Sequence, residues 1–234
     1  MSTSYERKNM TSEIYKKFNE LAQKFKASDF CKNSACVRDK WQNKVNLWGK
    51  EIAKKTNISA TNLSILGFIV GMMAVNFLAM NMYFEALICI LFNRFCDILD
   101  GAVARAQGVT EFGRFIDTAL DFIFYGGVIF GFALADENNT EAACFLLFAF
   151  MASATTMLTY GVIDQKSADV KASPFYLGGL AQGFETLSAF VILCVMPFAF
   201  MPIAILLGCW CLIKALVIIT RAYYKLNIAK KSKK

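Results

Sequence analysis

Asp97, Asp100, Asp117 and Asp121 are the residues of this chain whose type and spacing point most plainly to chemistry. The first two stand at i, i+3 and the last two at i, i+4, so each pair shares a helix face with Cβ atoms about 5–6 Å apart. They lie between two apolar stretches, YFEALICILF and FIFYGGVIFGFALA. An ionised aspartate at the middle of a membrane-spanning helix costs about 2.5–3.5 kcal/mol, and four of them together also repel one another. Protons or cations must relieve that charge. Carboxylates in a chain without a single His make an oxygen-rich site suited to Mg²⁺, Mn²⁺ or Ca²⁺.

The elements that must position these acids read as helices in a membrane. Of 234 residues, 56% are hydrophobic, against roughly 45–50% in soluble domains, and mean hydropathy is +0.44. A span needs about 20 mostly apolar residues, and six stretches qualify: 62–80, 83–105, 113–135, 141–163, 183–201 and 203–224. The expected fold is an all-α membrane protein of six transmembrane helices. Residues 1–56 form a basic N-terminal segment, 57–226 the membrane domain and 227–234 a basic tail. Short links make neighbouring helices antiparallel: Asn81-Met82 after the first span, DENNT after the third, and Pro202 between the fifth and sixth.

Positive charge orients the bundle, because Lys and Arg collect on the cytoplasmic side. Thirteen of them lie between Arg7 and Lys55, and the C-terminal tail adds Arg221, Lys225, Lys230, Lys231, Lys233 and Lys234. Lys166 and Lys171 occupy the link between the fourth and fifth spans, whereas the opposite links hold acids such as Asp136 and Glu137. Both termini and all four aspartates are therefore expected at the cytoplasmic side. In the N-terminal segment Ile14, Phe18, Leu21 and Phe25, then Trp41, Val45, Trp48 and Ile52, recur at helical spacing. That pattern suits an amphipathic helix lying in the membrane interface, where Lys meets anionic lipid. The basic segments are thus read as partners of membrane lipids and not of nucleic acid. No early apolar stretch of signal-peptide type is present.

Cysteine and histidine usage excludes other chemistries. Cys89, Cys96, Cys144, Cys194, Cys209 and Cys211 fall in apolar segments as small hydrophobes. A zinc site at Cys31 and Cys36 is not expected without His, and neither is a His-based triad.

The residues between the acids are small or cationic: Gly101, Ala104, Arg105 and Gly113. Small residues let helices approach closely, and Arg105 can reach the interface. Beside four acids at fixed offsets they also describe a pocket open to a pyrophosphate. The segment reads Asp97-x-x-Asp100-Gly101-x-x-Ala104-Arg105, seven residues, then Gly113-x-x-x-Asp117-x-x-x-Asp121. It resembles the signature of the CDP-alcohol phosphatidyltransferase family at all eight specified positions. FYLGGLAQGFET and LDFIFYGGVIFGFALA are similar to a small bacterial branch of that family.

The resemblance implies an integral enzyme of phospholipid synthesis in a bacterial inner membrane. Such an enzyme moves a phosphatidyl or phospho-alcohol group from a CDP-linked donor, CDP-diacylglycerol ahead of other CDP-alcohols, to an alcohol acceptor and releases CMP. It implies Mg²⁺ or Mn²⁺, as one or two ions, on the positions of Asp97, Asp100 and Asp117. Asp121 is then the general base and a further metal contact. Gly101, Ala104, Arg105 and Gly113 would surround the nucleotide and its phosphates. Thr61 falls where the family places polar residues near the cytidine, although Ala60-Thr61 replaces the common Pro-Asn. A homodimer is compatible with the resemblance. Outside the motif, Glu185, Lys214 and Arg221 are candidates for acceptor recognition, Lys214 and Arg221 sharing a face at i, i+7; for these two, snorkelling to the interface is the alternative reading. The competing reading is a divalent-cation channel or transporter; it accounts for the acids but not for Gly101, Ala104, Arg105 and Gly113.

Overall fold

Ser59 begins the first long helix. Its side chain accepts a hydrogen bond from the Asn62 amide at 3.2 Å while its own backbone stays extended, which satisfies one of the free donors at a helix start. The computed structural model describes residues 44–49, 51, 53, 59–165 and 176–231. Among the described residues six long helices follow one another: α1 (Ala60–Ala79), α2 (Tyr83–Gln107), α3 (Glu111–Ala135), α4 (Thr140–Gln165), α5 (Tyr176–Val195) and α6 (Phe200–Lys231). Two single 3₁₀ turns, Glu137–Asn139 and Pro197–Ala199, precede α4 and α6. No strand occurs among the described residues.

The turns follow from local chemistry. At Asn81 the backbone is left-handed, φ 61°. The Asn81 amide donates to the Leu78 carbonyl and the Met82 amide to that of Phe77, the paired closure that ends many helices. Gly108, φ 106°, breaks α2 in the same left-handed half of conformational space. Thr110 then caps α3 by accepting from the Gly113 amide at 3.0 Å. These two residues bring the second acid pair back alongside the first.

Four of the helical stretches combine the length and hydropathy of membrane spans: Ala60–Ala79, Glu111–Ala135, Glu137–Val162 and Pro197–Tyr223. Glu185–Val195 is a shorter apolar stretch. With 25 residues α2 is long enough but two-faced. Phe84, Ile88, Leu91 and Phe95 point outward, whereas Asn93, Arg94 and Asp100 are buried.

The break between the fifth and sixth helices differs from expectation. α5 ends at Val195, and the chain turns at Pro197 rather than Pro202. Pro202 is the third residue of α6, inside the first turn, where amides have no partner within the helix and a missing N–H costs little. The last helix continues to Lys231, so most of the basic tail is helical.

Helix α1 packs along both α2 and α3, α4 along α6, and α5 joins α2 to α6. Small residues govern the first contact. A Cβ on Gly67 would stand 2.6 Å from Cys96 Cβ, and one on Gly71 would stand 2.8 Å from Asn93 Nδ2. Spaced four apart, these two glycines form the close-approach pattern of membrane helices. The centre is aromatic: Phe132 stacks on Phe200 at 5.2 Å, and Tyr125 meets Phe150 at 5.9 Å and Phe190 at 6.0 Å. We expect Gly67→Val to destabilise the bundle by about 1–3 kcal/mol, as overpacking does. Thermal unfolding in detergent reads this directly, and an unchanged midpoint would mean that the α1–α2 contact yields without strain.

Of the N-terminal amphipathic pattern only residues 44–49 are described as a continuous helical run; Ile14, Phe18, Leu21, Phe25, Trp41 and Ile52 lie outside the described residues. This run packs on α2. Val45 is buried, and a Cβ on Gly49 would stand 2.5 Å from Ala102 Cβ. Cys31 and Cys36 are also outside the described residues, and the six cysteines within them are free thiols.

Candidate active site

The site is built between α2 and α3, both of which pack along α1. One carboxylate oxygen from each of Asp97, Asp117 and Asp121 lies within 4.8 Å of the others. They line a cavity shared with Ser64, Phe68, Asn93, Arg94, Asp100 and Leu120. Its free space is about 10 Å³, close to what a single water or ion needs. Asp100 is 5% exposed, set in the same wall but outside the tight triplet.

Arg94 occupies the middle of this arrangement and is 7% exposed. One terminal nitrogen donates to Asp121 Oδ1 at 2.6 Å and to Asn93 Oδ1 at 2.6 Å. The other donates to the Tyr125 hydroxyl at 2.9 Å and to Asp97 Oδ2 at 3.4 Å. The guanidinium also lies over the Phe124 and Tyr125 rings, 4.9 and 5.1 Å from their centroids. Asn93 is itself fixed, its Nδ2 donating to the Gly67 carbonyl at 2.9 Å. A string of polar contacts thus runs from α1 through Asn93 and Arg94 to both acid pairs. Arg94 and Asn93 are not among the residues expected from the sequence. The signal was available, since an ionisable residue inside a span is a functional candidate by default and Arg94 stands one turn before Asp97.

The donor set fits a divalent cation. It consists of carboxylate oxygens with no sulfur or nitrogen ligand, the preference of Mg²⁺ and Mn²⁺. Arg94 supplies one positive charge against four carboxylates, so the site retains a deficit that a divalent ion would offset.

The other expected residues divide into two groups. Thr61, in the first turn of α1, has its hydroxyl 3.8 Å from where a Gly113 Cβ would stand, so these two lie close together, outside the residues that line the cavity. Gly101 has open space above its Cα apart from Arg105 Nη1, 3.3 Å from a built Cβ. Ala104 is half-buried, and its carbonyl accepts from the Gly108 amide. Arg105 is exposed and donates through Nε to Asn46 Oδ1 at 2.8 Å. The run 44–49 therefore closes one side of the motif helix.

Glu185, Lys214 and Arg221 lie on α5 and α6, apart from the residues that line the cavity. Glu185 forms an ion pair with Lys214 and accepts from Trp210 Nε1 at 2.9 Å. Lys214 also sits over the Trp210 ring at 5.3 Å. Arg221 is half-buried two turns further along α6.

The sequence that builds these two acid pairs is matched in known proteins. Residues 57–221 fit the family model of the CDP-alcohol phosphatidyltransferases. The chain belongs to that family. The matched region runs from the start of α1 into the last third of α6 and holds every motif residue. Over 167 residues it is 40% identical to the inner membrane protein YnjF of Escherichia coli strain K12, covering 68% of this chain and 81% of that one. It is 33% identical over 99 residues to the archaetidylinositol phosphate synthase of Pyrococcus horikoshii, covering 42% of this chain and 52% of that one. As a CDP-alcohol phosphatidyltransferase the protein is a multi-pass membrane transferase of substituted phosphate groups, and its acid cluster can hold a metal. The channel reading gives way to this, and the guanidinium fixed among the acids would in any case oppose cation passage.

Proposed function

We propose that the protein transfers a phosphatidyl group from CDP-diacylglycerol to an alcohol and releases CMP. The observation that carries this reading is the triplet of carboxylate oxygens within 4.8 Å, drawn from both acid pairs of the family motif. Asp97, Asp100 and Asp117 would hold Mg²⁺ or Mn²⁺, which supplies charge neutralisation on the diphosphate and on the departing CMP. Asp121 takes the proton of the acceptor hydroxyl as that oxygen bonds to phosphorus and the bond to CMP breaks. Gly101 leaves room for phosphate over the α2 backbone, and Arg105, Ala104, Gly113 and Thr61 border the nucleotide at the mouth.

The remainder of the proposal rests on charge and on relatives. Positive charge at both ends supports six spans with both termini and the site on the cytoplasmic side. The Escherichia coli relative's name supports the inner membrane. The name of the Pyrococcus relative supports a lipid product with a phosphorylated polyol head group. Glu185, Lys214 and Arg221 are proposed to meet such an acceptor, because a phosphate ester needs cations near the membrane surface. A homodimer is also part of the proposal.

A donor-by-acceptor screen on the purified chain tests the reaction, with CMP release and product mass as readouts. CMP should appear with CDP-diacylglycerol and a phosphorylated polyol, require Mg²⁺ or Mn²⁺, and stop with EDTA. If no CDP-linked donor gives metal-dependent CMP with any acceptor, the proposed reaction is wrong.

A further inference from the structure

We propose that Arg94 is a positioning residue of the transfer site, a resident cation that fixes Asp121 and Asp97 and competes with the divalent ion for their charge. The role in transfer rests on the function proposed above; the relation to the ion does not.

Three observations carry it. First, the guanidinium is committed on every side: Asn93, Tyr125, Asp97 and Asp121 accept from it, and two aromatic rings flank it. A planar fork held this way cannot swing toward a ligand, so its task is to orient its neighbours. Second, it joins the acid pairs. Asp97 belongs to α2 and Asp121 to α3, and Arg94 contacts both, so it sets their separation before any ion or substrate arrives. Third, its anchor lies outside the motif. Asn93 is tied to the α1 backbone at Gly67, so the Arg94 head group is registered against the helix that carries Thr61 and Ser64.

Two consequences follow for the chain's own residues. One oxygen of Asp121 and one of Asp97 are already engaged by a cation, so a divalent ion held by these carboxylates lies close to Arg94. Coulomb repulsion between the guanidinium and the ion therefore weakens ion binding. In return Asp121 keeps a fixed direction, with its second oxygen left for the acceptor hydroxyl. Positioning of this kind is where a small displacement becomes a large rate loss.

The experiment uses the full chain in detergent and compares wild type with Arg94→Met, Arg94→Lys and Tyr125→Phe. Mn²⁺ affinity is read by electron paramagnetic resonance and turnover by CMP release. Arg94→Met should bind Mn²⁺ at least about threefold more tightly, because a neighbouring positive charge is gone. Its turnover should fall at least about 100-fold. Arg94→Lys should restore the Mn²⁺ affinity of wild type but remain at least about tenfold slow, since one ammonium cannot serve four acceptors in a plane. Tyr125→Phe, a mild change kept in case Arg94→Met fails to fold, should slow turnover several-fold and leave Mn²⁺ binding unchanged.

Turnover of Arg94→Met within threefold of wild type would overturn the proposal. So would loss of Mn²⁺ binding in Arg94→Met or Arg94→Lys, since the arginine would then only hold the fold. If wild type releases no CMP from any donor, the proposed reaction fails by itself. The Mn²⁺ affinities still decide whether Arg94 competes with the ion.

Discussion

Asp117→Asn should release CMP at least about 100-fold more slowly than wild type, yet insert, purify and unfold as a native protein does. Asp117 contributes one of the three oxygens that lie within 4.8 Å of one another, and an amide oxygen is a poorer ligand for a hard cation than a carboxylate. Without an ion, the substitution removes a negative charge from a crowded group and so relieves repulsion. Unfolding in EDTA should therefore occur at the wild-type temperature or slightly above it. The difference should emerge on adding Mg²⁺ or Mn²⁺. An ion that binds only the folded protein raises its unfolding temperature, and that rise should shrink or vanish in Asp117→Asn. Asp97→Asn should behave in the same direction, with an added disturbance because Asp97 also meets Arg94. Turnover close to wild type in Asp117→Asn would remove that residue from the metal site. A large fall in stability in EDTA would show that it holds the fold.

Much of this site was legible before any fold was known, for a local reason. Spacings of three and four put Asp97 with Asp100, and Asp117 with Asp121, on shared helix faces whatever the helices then do. That the two faces meet depends on Gly108 and Thr110, whose turn chemistry reverses the chain, and on Gly67 and Gly71, which let α1 reach α2. The glycines stand four apart within an apolar span, and only the packing of α1 on α2 makes that spacing a contact. Arg94 was missed for a different reason. Its meaning comes from Tyr125 and Asp121 on another helix, and from Asn93 held by the backbone of a third, and no short window contains them. Glu185 and Lys214 show the same limit: each reads from the sequence as a candidate for the acceptor, and the packing of α5 on α6 makes them a pair. The boundary near Pro197 was a local ambiguity. Two prolines five residues apart can each end a helix, and only the first does, because the second falls where a helix tolerates it.

Asp121→Asn should separate proton transfer from ion binding, and its expected effect rivals that of Asp117→Asn. One Asp121 oxygen is taken by Arg94 at 2.6 Å, so the carboxylate is held by a partner that does not leave when the ion does. The asparagine variant keeps the shape, but its amide cannot take a proton from an alcohol. Turnover should fall about 10²–10⁴-fold, the range for a positioned general base. Mn²⁺ binding should weaken less than in Asp117→Asn, and the donor's KM should change little, because Asp97, Asp100 and Asp117 all remain. The acceptor supplies a further check. Where the alcohol is more acidic, the base has less to do, so among accepted alcohols the most acidic should lose least on Asp121→Asn. An equal loss for every acceptor, together with Mn²⁺ binding as poor as in Asp117→Asn, would make Asp121 a metal ligand and leave the proton to another group. Among the described residues the cavity offers such a group only in its other acids, and Asp100 stands apart from the triplet with its side chain in the same wall. Asp100→Asn would then have to show the acceptor dependence that Asp121→Asn lacked.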